Sequence, residues 1–423
     1  MAGLDVERLV WRAISRGHDT GLMARSLALR VLPDPGPRSW LRDRARFLRT
    51  VTLSPLRRLR GAEPLENRVA VYDPAAPSAR FREYRRFFVR HHFGTGVDFV
   101  GRGCYRVPAA GRPGRSAGWY ARGVLAGLGA LLDWSPRRYA WLGGVFLDIQ
   151  AYLRAAPGLE RVYLFGLYDR RPYVMATFLH EHTDLEVYVV FQNIPLYRNC
   201  RYFHLPVPVV LTSKVNLAEV EHYRAEGHFK ASEVLYRGQE YLLDTIDLEP
   251  GEPRYDIGFF SSGEWARRGG LYQCDDAEAI RRGDHLGNPY HVASEAAIEA
   301  LAEYARERGR TLVIYPHPLE RELMARHRID PPWARLVDGG RVFLDGSGES
   351  SRSKVYECRV AVTLQSSSMW ERLDLGLRDS FVYEFGDPEM DSFSRESLGE
   401  YAENLYRDTA ELIAKVDAAL SRG

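Results

Sequence analysis

The chain has 423 residues, 45% of them hydrophobic and 27% charged, with a net charge of +2. That is an ordinary globular composition, long enough for two hydrophobic cores, and its near balance of charge gives no electrostatic footprint for nucleic acid. The four cysteines, Cys104, Cys200, Cys274 and Cys358, are too scattered for a disulfide framework or a zinc-ligand spacing.

This cysteine usage fits a reducing cytoplasm. The start, MAGLDVERLVWRAISRG, carries acids early and lacks the long apolar core of a secretory signal. Residues 1–60 read as a basic helical segment, in which WLRDRARFLRTVTLSPLRRLRG interleaves arginines with apolar residues. Two readings stand for it: a solvated helix packed on the body, or a peripheral contact with anionic lipid. The most apolar later stretch, GWYARGVLAGLGALLDW, contains Arg122 and is short of a membrane span.

From Arg68 the chain alternates between strand and helix patterns. RVAVYD, VDFVGRG, RVYLFGLYD, LEVYVVFQN, PVPVVLTS and ASEVLY are apolar runs of strand length. Between them fall SARFREYRRFFVRHH, RRYAWLGGVFLDIQAYLRAA, PYVMATFLHEH and KVNLAEVEHYRAEG, all with helical spacing. The Pro- and Gly-containing DLEPGEPRYD reads as a linker. The alternation then restarts: YDIGFF as strand, HVASEAAIEALAEYARERG as helix, TLVIY as strand and RVFLDG as strand. SKVYECR reads as a short helix, VAVTLQ as strand, SSMWERLDLG as helix and DSFVYEF as strand, with a helical end from SLGEYAENLY onward. Such alternation predicts α/β architecture with parallel sheets: two Rossmann-like domains facing a cleft, over residues 61–250 and 251–395, followed by a C-terminal helix over 396–423.

Ligands of such sheets sit beyond the carboxyl ends of the strands. In TLVIYPHP, His317 falls just past a strand, between Pro316 and Pro318, each of which fixes its own φ and restricts the preceding residue. A histidine aimed by so stiff a loop suits a phosphate oxygen; the plainer alternative is a structural hydrogen bond. VAVTLQSSSMWERLDLG places Ser366, Ser367 and Ser368 where a helix begins, and a helix N-terminus favours an anion. Ser368 and Glu371 also match the spacing of a capping box, so Glu371 either completes that box or accepts hydrogen bonds from ribose hydroxyls. Ser261, Ser262 and Gly263 follow the first strand of the second domain, where glycine allows close backbone approach. LDGSGES opens at the same edge, either as a contact for a nucleobase or as a plain loop.

In the order His-Pro then Ser-rich, YPHP and LQSSSMWE resemble the paired motifs of bacterial sialyltransferases and capsule Kdo transferases, which are glycosyltransferases of the GT-B type. CDP-glycerol polyol-phosphate transferases share a similar pattern. The resemblance covers roughly the second domain and implies a CMP-sugar donor there, with a glycan or glycolipid acceptor on the first domain. It implies that His317 contacts the leaving phosphate and that Ser366, Ser367 and Ser368 hold it. The convergence of these loops at one sheet edge adds Ser261, Ser262, Gly263, Pro318 and Glu371 to the candidate nucleotide site. No cofactor and no tightly bound metal is implied. The acidic pair followed by glycine that sialyltransferases carry in the first domain has no clean counterpart here. Asp169, past the strand RVYLF, is the candidate base for an acceptor hydroxyl, with a helix cap paired to Arg170 or Arg171 as the alternative. His180, Glu181 and His182 are set aside, because the end of their helix falls at the opposite edge of the sheet. The competing functions are a CDP-polyol phosphotransferase, a catalytically silent GT-B-like binding module and a sugar-nucleotide epimerase.

Overall fold

The structure is a computed structural model that describes residues 69–73, 88–94, 98–101, 159–165, 176, 179–180, 183–191, 203, 205–227, 229–238, 250–263, 280–281, 289–349, 351–384 and 395–422. The basic segment 1–60 and Asp169 lie outside them. The described residues fall into two compact units, both α/β with parallel sheets.

The first unit holds β1 (Val69–Asp73), β2 (Asp98–Gly101), β3 (Arg161–Phe165), β4 (Glu186–Phe191), β5 (Val209–Leu211) and β6 (Val234–Tyr236). All pair in parallel, in the order β2-β1-β3-β4-β5-β6. The central strands are buried along nearly their whole length: Val162 to Phe165 in β3, Val189 to Phe191 in β4 and all of β5. Continuous apolar runs, rather than alternating ones, are what a parallel sheet covered on both faces requires.

The second unit contains β7 (Tyr255–Phe260), β8 (Leu312–Tyr315), β9 (Val342–Leu344), β10 (Cys358–Thr363), β11 (Ser380–Tyr383) and β12 (Leu405–Tyr406), again all parallel. Its helices are α1 (Lys214–Ala225), α2 (Pro289–Glu307), α3 (Pro318–Glu322), α4 (Ser367–Asp374), α5 (Arg395–Leu398) and α6 (Thr409–Ser421). On one face Ile257, Phe259, Leu312, Ile314, Val360 and Val362 pack against Ile298, Leu301 and Ala305 of α2 and Leu412 and Val416 of α6. On the other, Phe260, Val313, Tyr315 and Ala361 pack against Met369, Trp370 and Leu373 of α4 and Val215 of α1. Successive residues of β8 thus alternate between two cores, as the period of a strand dictates.

Helix α1 belongs to this unit although its neighbours in sequence, β5 and β6, belong to the first. Ser213 caps it: its hydroxyl accepts from Val215 N at 3.1 Å and donates to Asp374 Oδ1 at 3.2 Å. Lys214 N donates to the same carboxylate oxygen at 3.0 Å.

The C-terminal run expected to be helical throughout is interrupted. Leu405 and Tyr406 are buried and pair as β12 with Val382 and Tyr383. Asn404 Nδ2 donates to Arg378 O and Ser380 O, and Asp408 restarts helix as the N-cap of α6, accepting from Glu411 N at 2.8 Å. The short helix expected over SKVYECR is instead an earlier 3₁₀ turn, Ser351–Lys354, because Cys358 already begins β10.

The strand order of the second unit is β12-β11-β10-β7-β8-β9; counted from β7, this is 3-2-1-4-5-6 read from the β9 edge. That is the order of dinucleotide-binding sheets, with its switch point between the first and fourth strands, here β7 and β10. The space beside Gly258 of β7 is filled by side chains of the neighbouring strands. A Cβ there would stand 2.6 Å from Cys358 Sγ and 3.1 Å from the ring of Tyr315. Gly258→Ala is expected to destabilise the protein by about 1–3 kcal/mol through overpacking, measured by urea unfolding; an unchanged midpoint would contradict this packing.

Candidate functional site

The loops that leave β7, β8 and β10 meet at the carboxyl edge of the second sheet, at the switch point. Thr363, the last residue of β10, is fully buried. Its hydroxyl donates to Phe260 O at 2.6 Å and accepts from Ser366 N at 3.0 Å. The Ser262 hydroxyl lies 3.5 Å from Thr363 Oγ1 and accepts from Gln365 N at 3.3 Å. Tyr406 from β12 donates to Thr363 O at 3.3 Å. Three strand ends are therefore stitched through neighbouring hydroxyls.

The histidine loop is built from its own sequence. Pro316 ends the strand and Pro318 starts α3, where a missing N–H costs nothing. His317 is the N-cap: its Nδ1 accepts from Leu319 N at 3.2 Å, while its own N–H donates to Glu320 Oε2 at 2.7 Å. This reciprocal pair is a capping box with histidine in the usual Ser/Thr place. Because Nδ1 accepts a hydrogen bond, a neutral imidazole carries its proton on Nε2, a donor suited to an anion. The other carboxylate oxygen of the fully buried Glu320 accepts from the Ser261 hydroxyl at 2.8 Å, and Ser261 Oγ accepts in turn from Gly263 N at 3.1 Å. The Ser261 proton is thus committed to shaping the loop.

Gly263 has φ +80°, and a Cβ on it would stand 3.1 Å from His317 Nδ1 and 3.2 Å from its Cγ. Only glycine combines that backbone with so close a ring. Arg321 ties the histidine loop to LDGSGES, donating to Pro316 O at 3.1 Å and to Asp345 Oδ2 at 2.8 Å.

The serine cluster falls at the start of α4, as expected, but the cap is Ser366. Its hydroxyl accepts from Ser368 N at 3.4 Å. The capping box that the spacing of Ser368 and Glu371 allowed as one alternative is absent, since Ser368 already lies inside the helix. Glu371 is instead buried against Arg352, with Arg352 Nε 3.1 Å from Glu371 Oε1. Burial pushes the Glu371 carboxyl above the usual range, and the Arg352 charge opposes that rise. Arg372, also buried, donates to Val355 O, Cys358 O and Arg359 O and, through Nε, to Ser380 Oγ at 2.9 Å. This clamp fixes α4 on β10 and β11.

The structure therefore brings Ser261, Ser262, Gly263, His317, Pro318, Ser366, Ser367, Ser368 and Glu371 to one sheet edge. Thr363, Glu320 and Arg352 join them there, although no motif of the sequence singles them out as a set. Glu320 carries a legible signal, standing three residues after the cap; Thr363 and Arg352 carry none, since their roles arise from contacts distant in sequence. Among the described residues, no helix is long and apolar enough to cross a membrane.

A scan against protein-family models matches no family, and a search of the curated proteins finds no match.

Thr363→Val removes the stitching hydroxyl at constant shape. It is expected to cost about 1–3 kcal/mol, the price of leaving buried polar groups unpaired, read by chemical denaturation. A loss below the error of that measurement would contradict the role given to this hydroxyl.

Proposed function

We propose that the chain is a metal-independent glycosyltransferase of the GT-B type. It would transfer a Kdo- or sialic-acid-like sugar from a CMP-sugar to a glycan or glycolipid acceptor in the building of bacterial surface polysaccharide. The observation that carries this reading is the meeting of the His317 loop, the Ser262-Gly263 turn and the N-terminus of α4 at the switch point between β7 and β10. The sheet order and the site chemistry both favour a nucleotide phosphate at that place.

In this reading the CMP phosphate lies against the first turn of α4, held by hydroxyls and N–H groups of Ser366, Ser367 and Ser368. As the bond to the sugar breaks, negative charge builds on the leaving phosphate. The Nε2 proton of His317, already aimed by its capping bonds, meets that charge without reorganisation. The acceptor hydroxyl belongs to the first unit, where Asp169 follows β3 in sequence and would take the proton. β3 adjoins β1 in an order that reverses between them, which is the first sheet's own switch point. The protein would work in the cytoplasm, with the basic segment 1–60 resting on the inner membrane face.

Isothermal titration of the purified protein with CMP, CDP, UMP, UDP and GDP, with and without EDTA, tests the donor class. CMP binding that survives EDTA and is weakened in His317→Ala is expected. Turnover by His317→Ala should fall about a hundredfold, the scale of losing one charge-stabilising donor, with the fold intact. A preference for CDP would replace the sugar donor with a CDP-alcohol, and a preference for UDP or GDP would overturn the CMP assignment. Absence of nucleotide binding would leave a silent binding module. Asp169→Asn should abolish transfer while CMP binding persists; normal transfer would remove Asp169 from the mechanism.

A further inference from the structure

The capping box at His317 constrains the charge of the ring as well as its direction. Leu319 N–H approaches Nδ1 at 3.2 Å, and a backbone N–H can only donate. Nδ1 is therefore an acceptor, and protonating it would set two N–H groups against each other. The other half of the box is Glu320, which is fully buried. Its Oε2 accepts from His317 N–H at 2.7 Å and its Oε1 from the Ser261 hydroxyl at 2.8 Å, so one carboxylate joins the loops after β8 and β7. Gly263 of the second loop lies against the ring, its Cβ position 3.1 Å from Nδ1. Glu320 and Arg321 bring charge to the histidine loop; Arg321 turns to Pro316 O and to Asp345, while Ser261 and Gly263 bring none. An imidazolium paired with the buried carboxylate would need Nδ1 to donate, and Leu319 N–H holds that place.

We propose that Glu320 is the positioning residue of His317, and that the pair presents a neutral ring which stabilises the leaving phosphate as a hydrogen-bond donor and not as an acid. A neutral imidazole with its single proton on Nε2 could give that proton up only by becoming an anion, so the proton stays where it is. In the transfer, the bond from the anomeric carbon to the phosphate oxygen breaks, and its electron pair remains on that oxygen. The acceptor oxygen bonds to the same carbon, and its proton passes to Asp169. CMP thus departs without a proton from His317. The inference rests on the nucleotide reading of the site and deepens it, since that reading alone would serve with either charge state of the ring.

Long-range proton–nitrogen correlation NMR of the full chain carrying isotope-labelled histidine reads which ring nitrogen holds the proton. His317→Asn assigns the signal, because asparagine is itself a good N-cap. At neutral pH, Nε2 alone is expected to be protonated, both before and after saturation with CMP. A ring in the CMP complex protonated on both nitrogens, or on Nδ1 alone, would overturn the inference while sparing the nucleotide reading. Failure of the wild type to bind CMP would remove that reading and the inference with it. Glu320→Gln keeps an acceptor for His317 N–H, so it should keep the Nε2 signature and most of the CMP affinity. Glu320→Ala should give a mixture of the two neutral tautomers and weaken CMP roughly tenfold, the scale of one lost hydrogen bond. An unchanged ring signature in Glu320→Ala would overturn the positioning role. If the alanine variant does not fold, the glutamine variant decides: loss of the Nε2 signature on removal of the charge would identify an ion pair and overturn the inference.

Discussion

One buried hydroxyl, that of Thr363, governs the geometry of the candidate site. It closes the end of β7 through Phe260 O and opens the turn into α4 through Ser366 N. Because β7 and β10 are neighbours in the sheet, these bonds decide where the two loops diverge. The serines and the histidine are carried to that point by what surrounds Thr363. Ser262 is placed by Gln365, His317 by Glu320, and Glu320 is joined to Ser261. Linked polar groups of this kind are strong when every member is satisfied, and they define one arrangement rather than several.

The histidine loop shows how a sequence stores stiffness. Two prolines restrict the backbone around His317, and the capping bonds fix its ring relative to α3. The left-handed turn at Gly263 then lets that ring lie against the neighbouring loop. Preorganisation of this sort matters most where charge develops during a reaction, because donors already in place need no further ordering. Arg352 is likewise held in place, its Nε 3.1 Å from the almost wholly enclosed Glu371 carboxylate.

Much of the second unit was legible in its sequence. TLVIY, VAVT and DSFVY are apolar runs of strand length, and the strong period of HVASEAAIEALAEYARE gives α2 directly. The serine run was also legible as a helix start. Which serine caps was not, because Ser366 and Ser368 both sit at plausible positions and the choice depends on Ser366 N reaching Thr363. Strand order was hidden for the same reason: the pairing of β7 with β10 joins residues about a hundred apart in the chain, and no local pattern encodes it. Leu405 and Tyr406 were absorbed into a helical reading because two residues are too few to show a period of two. The affiliation of α1 with the second unit rests on Asp374 reaching the Ser213 cap, another contact that spacing does not reveal.

The proposed function requires a nucleotide phosphate among the loops after β7, β8 and β10. Amide NMR of the isotope-labelled protein titrated with CMP tests it most directly. Shifts are expected to concentrate at Gly263, Leu319, Ser367 and Ser368, with Val342 to Leu344 in β9 unmoved. Shifts confined to the first unit, or to the amino ends of the second unit's strands, would contradict it.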